Sequence, residues 1–302
     1  MLFSVIIPTF NRAHVLPRTL GSVFAQRSTD YEIIVVDDGS TDDTREYLRS
    51  VGERVVCLSQ VNHGPGEARN LGARHAKGDY FAFLDSDDLW FPWTLSCFAE
   101  LIGRYGGPAI LSARLVEFSA ESDLKDARET EVKAQAFRDY YASHCYHYFV
   151  GSGMSVLRRD AFLGSRGYVN LISSFEDHDL IMRLGEASGF IQVIEPVTLG
   201  YRKHSENLSG SSRRSFEGAC YLIEQEQAGR YPGGRARARE RRAIITQRTR
   251  PATFSLAKRG LIREAWAIYF ATFAWNVALG RWRYLCGFPM DGLLARTPTT
   301  SE

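Results

Sequence analysis

The sequence predicts an α/β fold: a mixed, mostly parallel sheet flanked by helices, with a helical extension at the C-terminus. Three observations predict it. Through the first third of the chain, short apolar runs alternate with helix-like amphipathic segments, the pattern of a parallel sheet with right-handed crossovers. Polar outliers follow the strand-like runs and do not interrupt them. From about residue 211 the composition shifts to an Arg-rich stretch and then an aromatic one.

Residues 3–7 form the first strand-like run, and residues 15–26 a helix carrying Leu16, Leu20, Val23 and Phe24 on its apolar face. Residues 32–36 are the second strand. Ser40-Thr41-Asp42-Asp43 has the spacing of a capping box, with an acid three residues after a serine, and opens a helix to about residue 50. Residues 55–58 are the third strand, and residues 65–76 a helix with Pro65 at its start. Residues 80–84 are a buried fourth strand and residues 93–105 another helix. Further on, residues 110–118 read as one strand, 119–138 as a polar helix or loop, and 191–194 and 197–201 as strands. Between them a helix begins after Phe175-Glu176-Asp177-His178-Asp179. No internal repeat is present. The sequence divides at about residue 105 and again at about residue 210, beyond which lies the helical extension (211–302).

Composition narrows the classes. A net charge of +2 supplies no electrostatic case for nucleic acid. The five cysteines are scattered and odd in number, with no C-x-x-C, so neither a zinc knuckle nor a disulfide framework is indicated and a reducing cytoplasm fits. The N-terminus lacks a basic leader and a long apolar core and reads as a strand. The sequon at Asn207 is accordingly expected to stay unglycosylated.

The polar outliers converge. Thr9 and Asn11 follow strand one, Asp37 and Asp38 strand two, Asn62 strand three, and Asp85-Ser86-Asp87-Asp88 strand four. In an open α/β sheet these loops gather at the carboxyl edge, where ligands bind. The Asp-x-Asp spacing brings two carboxylates toward one hard divalent cation, which takes oxygen ligands and bridges to phosphates. A nucleotide or nucleotide-sugar site follows, although acids before an apolar helix also serve as N-caps. Neither G-x-x-x-x-G-K-[ST] nor a G-x-G-x-x-G after strand one occurs, which disfavours P-loop NTPases and nicotinamide-binding domains. Asp37-Asp38 after a strand is also a receiver-domain feature, but a receiver is much shorter and leaves the second acidic cluster without a job.

Four motifs occur in order: Ser4-Val-Ile-Ile-Pro8-Thr9-Phe-Asn11-Arg12, Val35-Val-Asp37-Asp38-Gly-Ser-Thr-Asp42, Asn62-His-Gly-Pro-Gly-Glu-Ala-Arg69-Asn70 and Gly78-Asp-Tyr-Phe-Ala-Phe-Leu-Asp85-Ser86-Asp87-Asp88. With them the chain resembles the family 2 inverting glycosyltransferases of GT-A type, Rossmann-like fold, over roughly residues 1–210. Glu176-Asp177 and Tyr201-Arg-Lys-His204 match weaker downstream signatures. The resemblance implies transfer of a sugar from a nucleotide-diphosphate donor, a UDP-sugar before others, to a hydroxyl of a glycan or lipid-linked saccharide, as in bacterial surface polysaccharide assembly. It implies a Mn²⁺ or Mg²⁺ cofactor, a nucleotide-binding half over residues 1–105 and an acceptor and catalytic half over residues 106–210. Pro8, Thr9, Asn11, Asp38, Arg69, Asp85 and Ser86 would bind the donor, with Asp38 accepting a base ring N–H. Asp87, Asp85 and His204 would serve the metal. Gly151, Ser152, Gly153 and Glu176 would line the sugar and acceptor pocket, and Asp177 would be the general base. His63, His75, His144, His147 and His178 receive no role. Two other readings remain: a sugar nucleotidyltransferase, which lacks its basic Gly-rich loop after strand one here, and a degenerate nucleotide-sugar-binding scaffold.

In the extension, residues 230–250 read as a solvated Arg-rich face, with anionic lipid or a lipid diphosphate as the alternative partner. The apolar stretch 265–279 is short for a bilayer span and reads as core, as a homodimer face, or as a peripheral contact at the inner face of the cell membrane through residues 230–285.

Overall fold

The computed structural model describes residues 3–170, 174–204 and 212–294; the sequon at Asn207 lies outside them. Two compact units are drawn from the chain. One comes from Met1–Tyr140, Tyr148–Leu171 and Glu176–Asn207, the other from Tyr141–His147, Ile172–Phe175 and Leu208–Glu302.

The first unit is built on an eight-stranded sheet of order β3-β2-β1-β4-β9-β6-β10-β8. The strands are β1 (Phe3–Thr9), β2 (Tyr31–Asp37), β3 (Val56–Ser59), β4 (Tyr80–Phe83), β6 (Ile110–Ser112), β8 (Lys133–Phe137), β9 (Ser155–Arg158) and β10 (Phe190–Glu195). A second sheet of three strands has the order β5-β11-β7, with β5 (Leu89–Trp90), β7 (Leu115–Phe118) and β11 (Leu199–Arg202). Strands β3, β2, β1 and β4 run parallel. Strand β9 runs antiparallel between β4 and β6, so its leading segment, 151–154, reaches the edge at which the parallel strands end.

Strand β1 shows why the sequence folds this way. Its residues alternate between the two faces of the sheet. Phe3, Val5 and Ile7 join the core cluster that also holds Leu16, Leu20 and Val23 of α1 (Leu16–Phe24) and Leu95, Phe98 and Leu101 of α4 (Thr94–Arg104). Ile6 faces α3 (Pro65–His75), whose inward side is small. A Cβ on Gly72 would lie 2.6 Å from Ile6 Cγ2 and 3.3 Å from Val36 Cγ2, so the glycine sets how closely α3 lies on the sheet. Pro8, which has no N–H to give, stands beyond Ile6, where pairing with β4 ends.

Three expectations are corrected. Residues 110–118 are two strands, β6 and β7, in different sheets; Ala113 and Arg114 carry the chain across, and Arg114 O accepts the backbone N–H groups of Thr198 and Leu199. The polar segment 119–138 holds β8, which pairs antiparallel with β10 at the sheet's edge. Ser40 does not cap α2 (Thr44–Val51): Asp43 occupies the N-cap without a side-chain hydrogen bond, and Ser40 Oγ accepts the Asn11 N–H at 2.9 Å.

The second unit contains α7 (Ser212–Gln227), α8 (Ala238–Lys258), α9 (Ile262–Ala278) and α10 (Trp282–Leu294). Its core joins Leu222, Ile223, Ile244, Ile268, Tyr269 and Phe288, all buried. The Arg-rich stretch is not simply a solvated face. Arg241 is buried and donates to Glu226 at 2.6 Å, while Arg242 donates to the same carboxylate and its guanidinium lies 5.4 Å from the Trp275 ring. Among the described residues no helix is long and apolar enough to cross a membrane.

Candidate active site

The site gathers where β1, β2 and β4 end and the 151–154 segment begins. Asn11 adopts a left-handed backbone (φ 52°) that turns the chain after β1. Its Oδ1 accepts the Thr41 N–H at 2.7 Å, tying the β1 loop to the β2 loop. Thr9 and Asp38 are joined through backbone, Asp38 N to Thr9 O at 2.8 Å. Thr9 Oγ1 is buried with no hydrogen-bond partner among the described residues. The Asp38 carboxylate is buried and accepts three hydrogen bonds, from Gln60 Nε2 (2.7 Å), His63 N (2.9 Å) and Gly64 N (2.8 Å). It therefore shapes the loop ahead of α3. A carboxylate has about four acceptor positions, so three such bonds leave one.

Asp85, Ser86, Asp87 and Asp88 diverge, and each does a different job. Asp85 Oδ1 meets Arg69 Nη2 at 2.5 Å. Ser86 is buried, and its carbonyl accepts from Thr19 Oγ1 at 2.9 Å. Asp87 Oδ2 lies 2.8 Å from His204 Nε2 and 3.7 Å from Arg12 Nε. Asp88 Oδ1 accepts the Arg202 N–H at 2.9 Å, while its Oδ2 is buried without a hydrogen-bond partner among the described residues. Burial, with the charges of Asp85 and Asp87, pushes the Asp88 carboxyl well above the usual carboxylate range, and Arg202 offsets only part of this.

Arg69 is buried on α3 and joins two acids distant in sequence. It pairs with Asp85 and approaches Glu176 Oε1 at 3.9 Å, with its guanidinium 5.3 Å from the Tyr168 ring. Burial opposes its charge, yet Asp85, Tyr168 and Glu176 raise its pKa on balance.

Glu176 and Asp177 open α6 (Glu176–Arg183), so they begin the helix rather than precede it. Neighbours drive them apart electrostatically. Burial first, then the Asp177 charge, pushes Glu176 up to about 7 against the pull of Arg69. Burial also acts to raise Asp177, but His178 outweighs it and holds this carboxyl below its usual value. His178 supplies two contacts to Asp177 Oδ1, its backbone N–H and its ring Nδ1, each at 2.7 Å. Asp179 is buried and pairs with Arg183 at 2.8 Å, a structural bond within the helix.

The 151–154 segment closes over these acids. A Cβ on Gly153 would stand 2.7 Å from Asp85 Oδ2, and one on Gly151 would stand 2.6 Å from the Phe149 ring and 3.5 Å from Asp177 Oδ2. Ser152 between them is buried. At Gly153 backbone approaches a carboxylate as only glycine permits.

The structure thus brings Asp85, Arg69, Glu176, Asp177 and Gly151 to Gly153 together, with Asp87, His204 and Arg12 as a second group joined through the 85–88 turn. Pro8 and Thr9, the last residues of β1, and Asn11 and Asp38, in the loops after β1 and β2, lie at the same edge. Arg12, Asp88 and His178 carry no role in the sequence reading. Each adjoins a motif residue, and that adjacency was the available signal.

Residues 4–164 match Glycosyl transferase family 2. The chain belongs to glycosyltransferase family 2. An uncharacterized glycosyltransferase of Haemophilus influenzae is 27% identical over 202 residues, which cover 65% of this chain and 67% of that protein. One from Nostoc is 42% identical over 105 residues, 33% of each chain. The validoxylamine A glucosyltransferase of Streptomyces hygroscopicus is 40% identical over 114 residues, 36% of this chain and 26% of that one. The chain thus spans a third or less of the length of these last two relatives. Among solved structures, S. aureus TarS 1–349 with UDP-GlcNAc superposes with a TM-score of 0.67 at 21% identity, covering 85% of this chain and 76% of that one. The mannosyltransferase PcManGT of Pyrobaculum calidifontis, with GDP-Man and Mn²⁺, gives 0.53 at 16% identity, covering 98% and 88%. These likenesses establish the GT-A-like fold of this family 2 chain.

Proposed function

We propose that the chain transfers a sugar, with inversion, from a nucleoside-diphosphate sugar to a hydroxyl of a glycan or lipid-linked saccharide. A UDP-sugar is the donor this reading favours. The observation that carries it is the meeting of Asp87 and His204, 117 positions apart, at 2.8 Å. Among the described residues no group of three or more His, Cys, Asp or Glu side chains is placed to hold a metal ion. An Asp oxygen and an imidazole nitrogen nonetheless form a fitting partial set for Mn²⁺ or Mg²⁺, ions that complete their coordination with water and substrate phosphates. Such an ion, once bound, neutralises charge growing on the leaving diphosphate.

The chain's own residues supply the rest. Arg12 beside Asp87 adds positive charge where a diphosphate would lie. Arg69 orients Asp85. Asp177 is the base in this reading: His178 occupies its Oδ1, and its Oδ2 is the oxygen directed at the Gly151 segment, where it would take the acceptor proton. A positioned base contributes about 10²–10⁴-fold. Asp38, with one acceptor position left, reads a ring N–H of the base, which suits uracil.

The test is a thermal-shift series with UDP, GDP, dTDP and CMP, each with and without Mn²⁺, on the parent and on Asp87→Ala. A ligand of the native state raises the melting temperature by mass action. Stabilisation by UDP that requires Mn²⁺ and disappears in the variant supports the reading. No shift with any nucleotide would overturn it in favour of a degenerate scaffold.

A further inference from the structure

Helix α9 has its polarity inverted. At 3.6 residues per turn, Ala265, Ile268, Tyr269, Thr272, Trp275 and Asn276 fall on one side, and all are buried. That side carries Thr272 and Asn276: Thr272 Oγ1 donates to Ile268 O, and Asn276 Nδ2 to Thr272 O. The opposite side holds Ala267, Phe270, Ala271, Phe273, Ala274 and Val277, and these are exposed. Phe270 is 66% exposed. The side is apolar along its length apart from Arg263 in the first turn. The water-facing side of a surface helix is ordinarily its polar side, and here it is the apolar one.

The same apolar character continues past the turn. In α10, Trp282 is 60% and Met290 64% exposed, while Tyr284, Leu285 and Phe288 of that helix point inward. Trp266 of α9 stacks on Phe270 at 5.3 Å and meets Phe288 edge-on at 5.1 Å, which links the two helices at the patch. Exposed apolar groups arranged this way mark an interaction surface.

Charge identifies the occupant. Residues 212–294 contain fifteen Arg and Lys against six Asp and Glu, nine net positive charges, although the whole chain carries only +2. Arg263 stands at one end of the apolar face, and Arg281 and Arg283 at the other, either side of Trp282. Burial, and after it the charges of Arg281, Arg250 and Arg248, hold the His147 imidazole below its usual pKa. A second copy would bring like charge against like. An anionic bilayer surface meets both features at once, because its headgroups attract the Arg residues and its interfacial zone takes Phe, Trp and Met.

We infer that the exposed face of α9, with Trp282 and Met290 of α10, is a docking surface for an anionic phospholipid bilayer, on which the chain lies peripherally. The inference does not depend on the transfer reaction, because its test reads partition alone.

The full chain is sedimented with vesicles of phosphatidylcholine and with vesicles of phosphatidylcholine mixed with phosphatidylglycerol, in low and in high salt. The expected result is pelleting with the anionic vesicles only, weakened by salt, and a loss of about tenfold or more in partition for the double variant Phe270→Glu, Phe273→Glu. Both positions are exposed, so the variant is expected to keep the parent's melting temperature. Brominated lipid gives a second readout on the unmodified protein: tryptophan emission is quenched on the anionic vesicles, and less so in Trp282→Phe. Absence of pelleting and quenching overturns the inference. So does a folded double variant that still pellets like the parent. Sedimentation velocity showing a dimer that the double variant splits, with vesicle binding unchanged, would assign the face to a second copy instead.

Discussion

Asp85 and Gly153 lie so close that the carboxylate Oδ2 is 2.7 Å from where a Cβ on the glycine would stand. The Asp88 carboxylate is 3.3 Å from the same point. A methyl group there must displace the 151–154 segment or the acids beneath it. Gly153→Ala is expected to weaken donor nucleotide binding about tenfold or more and to lower stability by about 1–3 kcal/mol. Calorimetric titration with UDP and Mn²⁺, paired with urea unfolding, measures both. Parent-like affinity would show that the segment yields without cost.

Glu176 makes stability depend on pH. Its carboxyl is pushed up to about 7 in the folded chain, whereas an unfolded glutamate titrates near 4.3. A raised folded pKa means the folded state holds the proton longer. The stabilisation is complete below about pH 4 and is lost as pH rises through 7. Glu176→Gln keeps the neutral form at every pH. It is expected to be more stable than the parent at pH 8 by about 1–3 kcal/mol, with the difference shrinking toward pH 5. Asp177→Asn removes a charge that raises Glu176 and is expected to move the parent's transition to lower pH. Urea midpoints across this range measure both effects; parallel curves for the parent and Glu176→Gln would refute them.

Arg69 is buried against Asp85, with Glu176 close by. Arg69→Met leaves those carboxylates without their cation, and the Glu176 side chain is only 15% exposed. The expected cost is about 3–5 kcal/mol at pH 7, smaller at pH 5, where Glu176 is protonated. Equal losses at both values would mean that the arginine acts by packing alone.

Gly72→Ala tests the fold apart from the site. Its new methyl would stand 2.6 Å from Ile6 Cγ2, so α3 must move outward. Overpacking of this kind costs about 1–3 kcal/mol. Urea unfolding of Gly72→Ala reads that cost, and a loss under 0.5 kcal/mol, on the order of a neutral surface change, would mean that α3 shifts freely.

The first hundred residues were legible because their signals are local. Apolar runs such as 3–7 and 32–36 extend to β1 and β2 with small shifts at the ends, and Pro65 opens α3 as expected. The site edge was legible because parallel strands leave their loops on one side. What lay beyond sequence was pairing at a distance. Nothing in residues 110–118 says that the chain changes sheets at Ala113 and Arg114, because the segment carries no Gly or Pro to mark such a break. The polar β8 gives little strand signal and is held by β10. The contact of Asp87 with His204, the bond between buried Arg241 and Glu226, and the inverted face of α9 are products of tertiary packing, which periodicity does not encode. The His178 contacts to Asp177 are local, but acid and imidazole in sequence order do not say which neighbour is held.

Strand β9 has a consequence for how the chain comes into being. It seals the flank of β4, pairing Tyr80, Phe81 and Ala82 with Arg158, Leu157 and Val156. During synthesis the ribosome releases β4 long before β9 exists, and through that interval a strand of four buried aromatic and aliphatic residues presents an open backbone edge. Such an edge recruits other strands. A fragment ending near residue 105 keeps the four parallel strands yet lacks the seal, and that edge stays open until the segment that closes over Asp85 has been made.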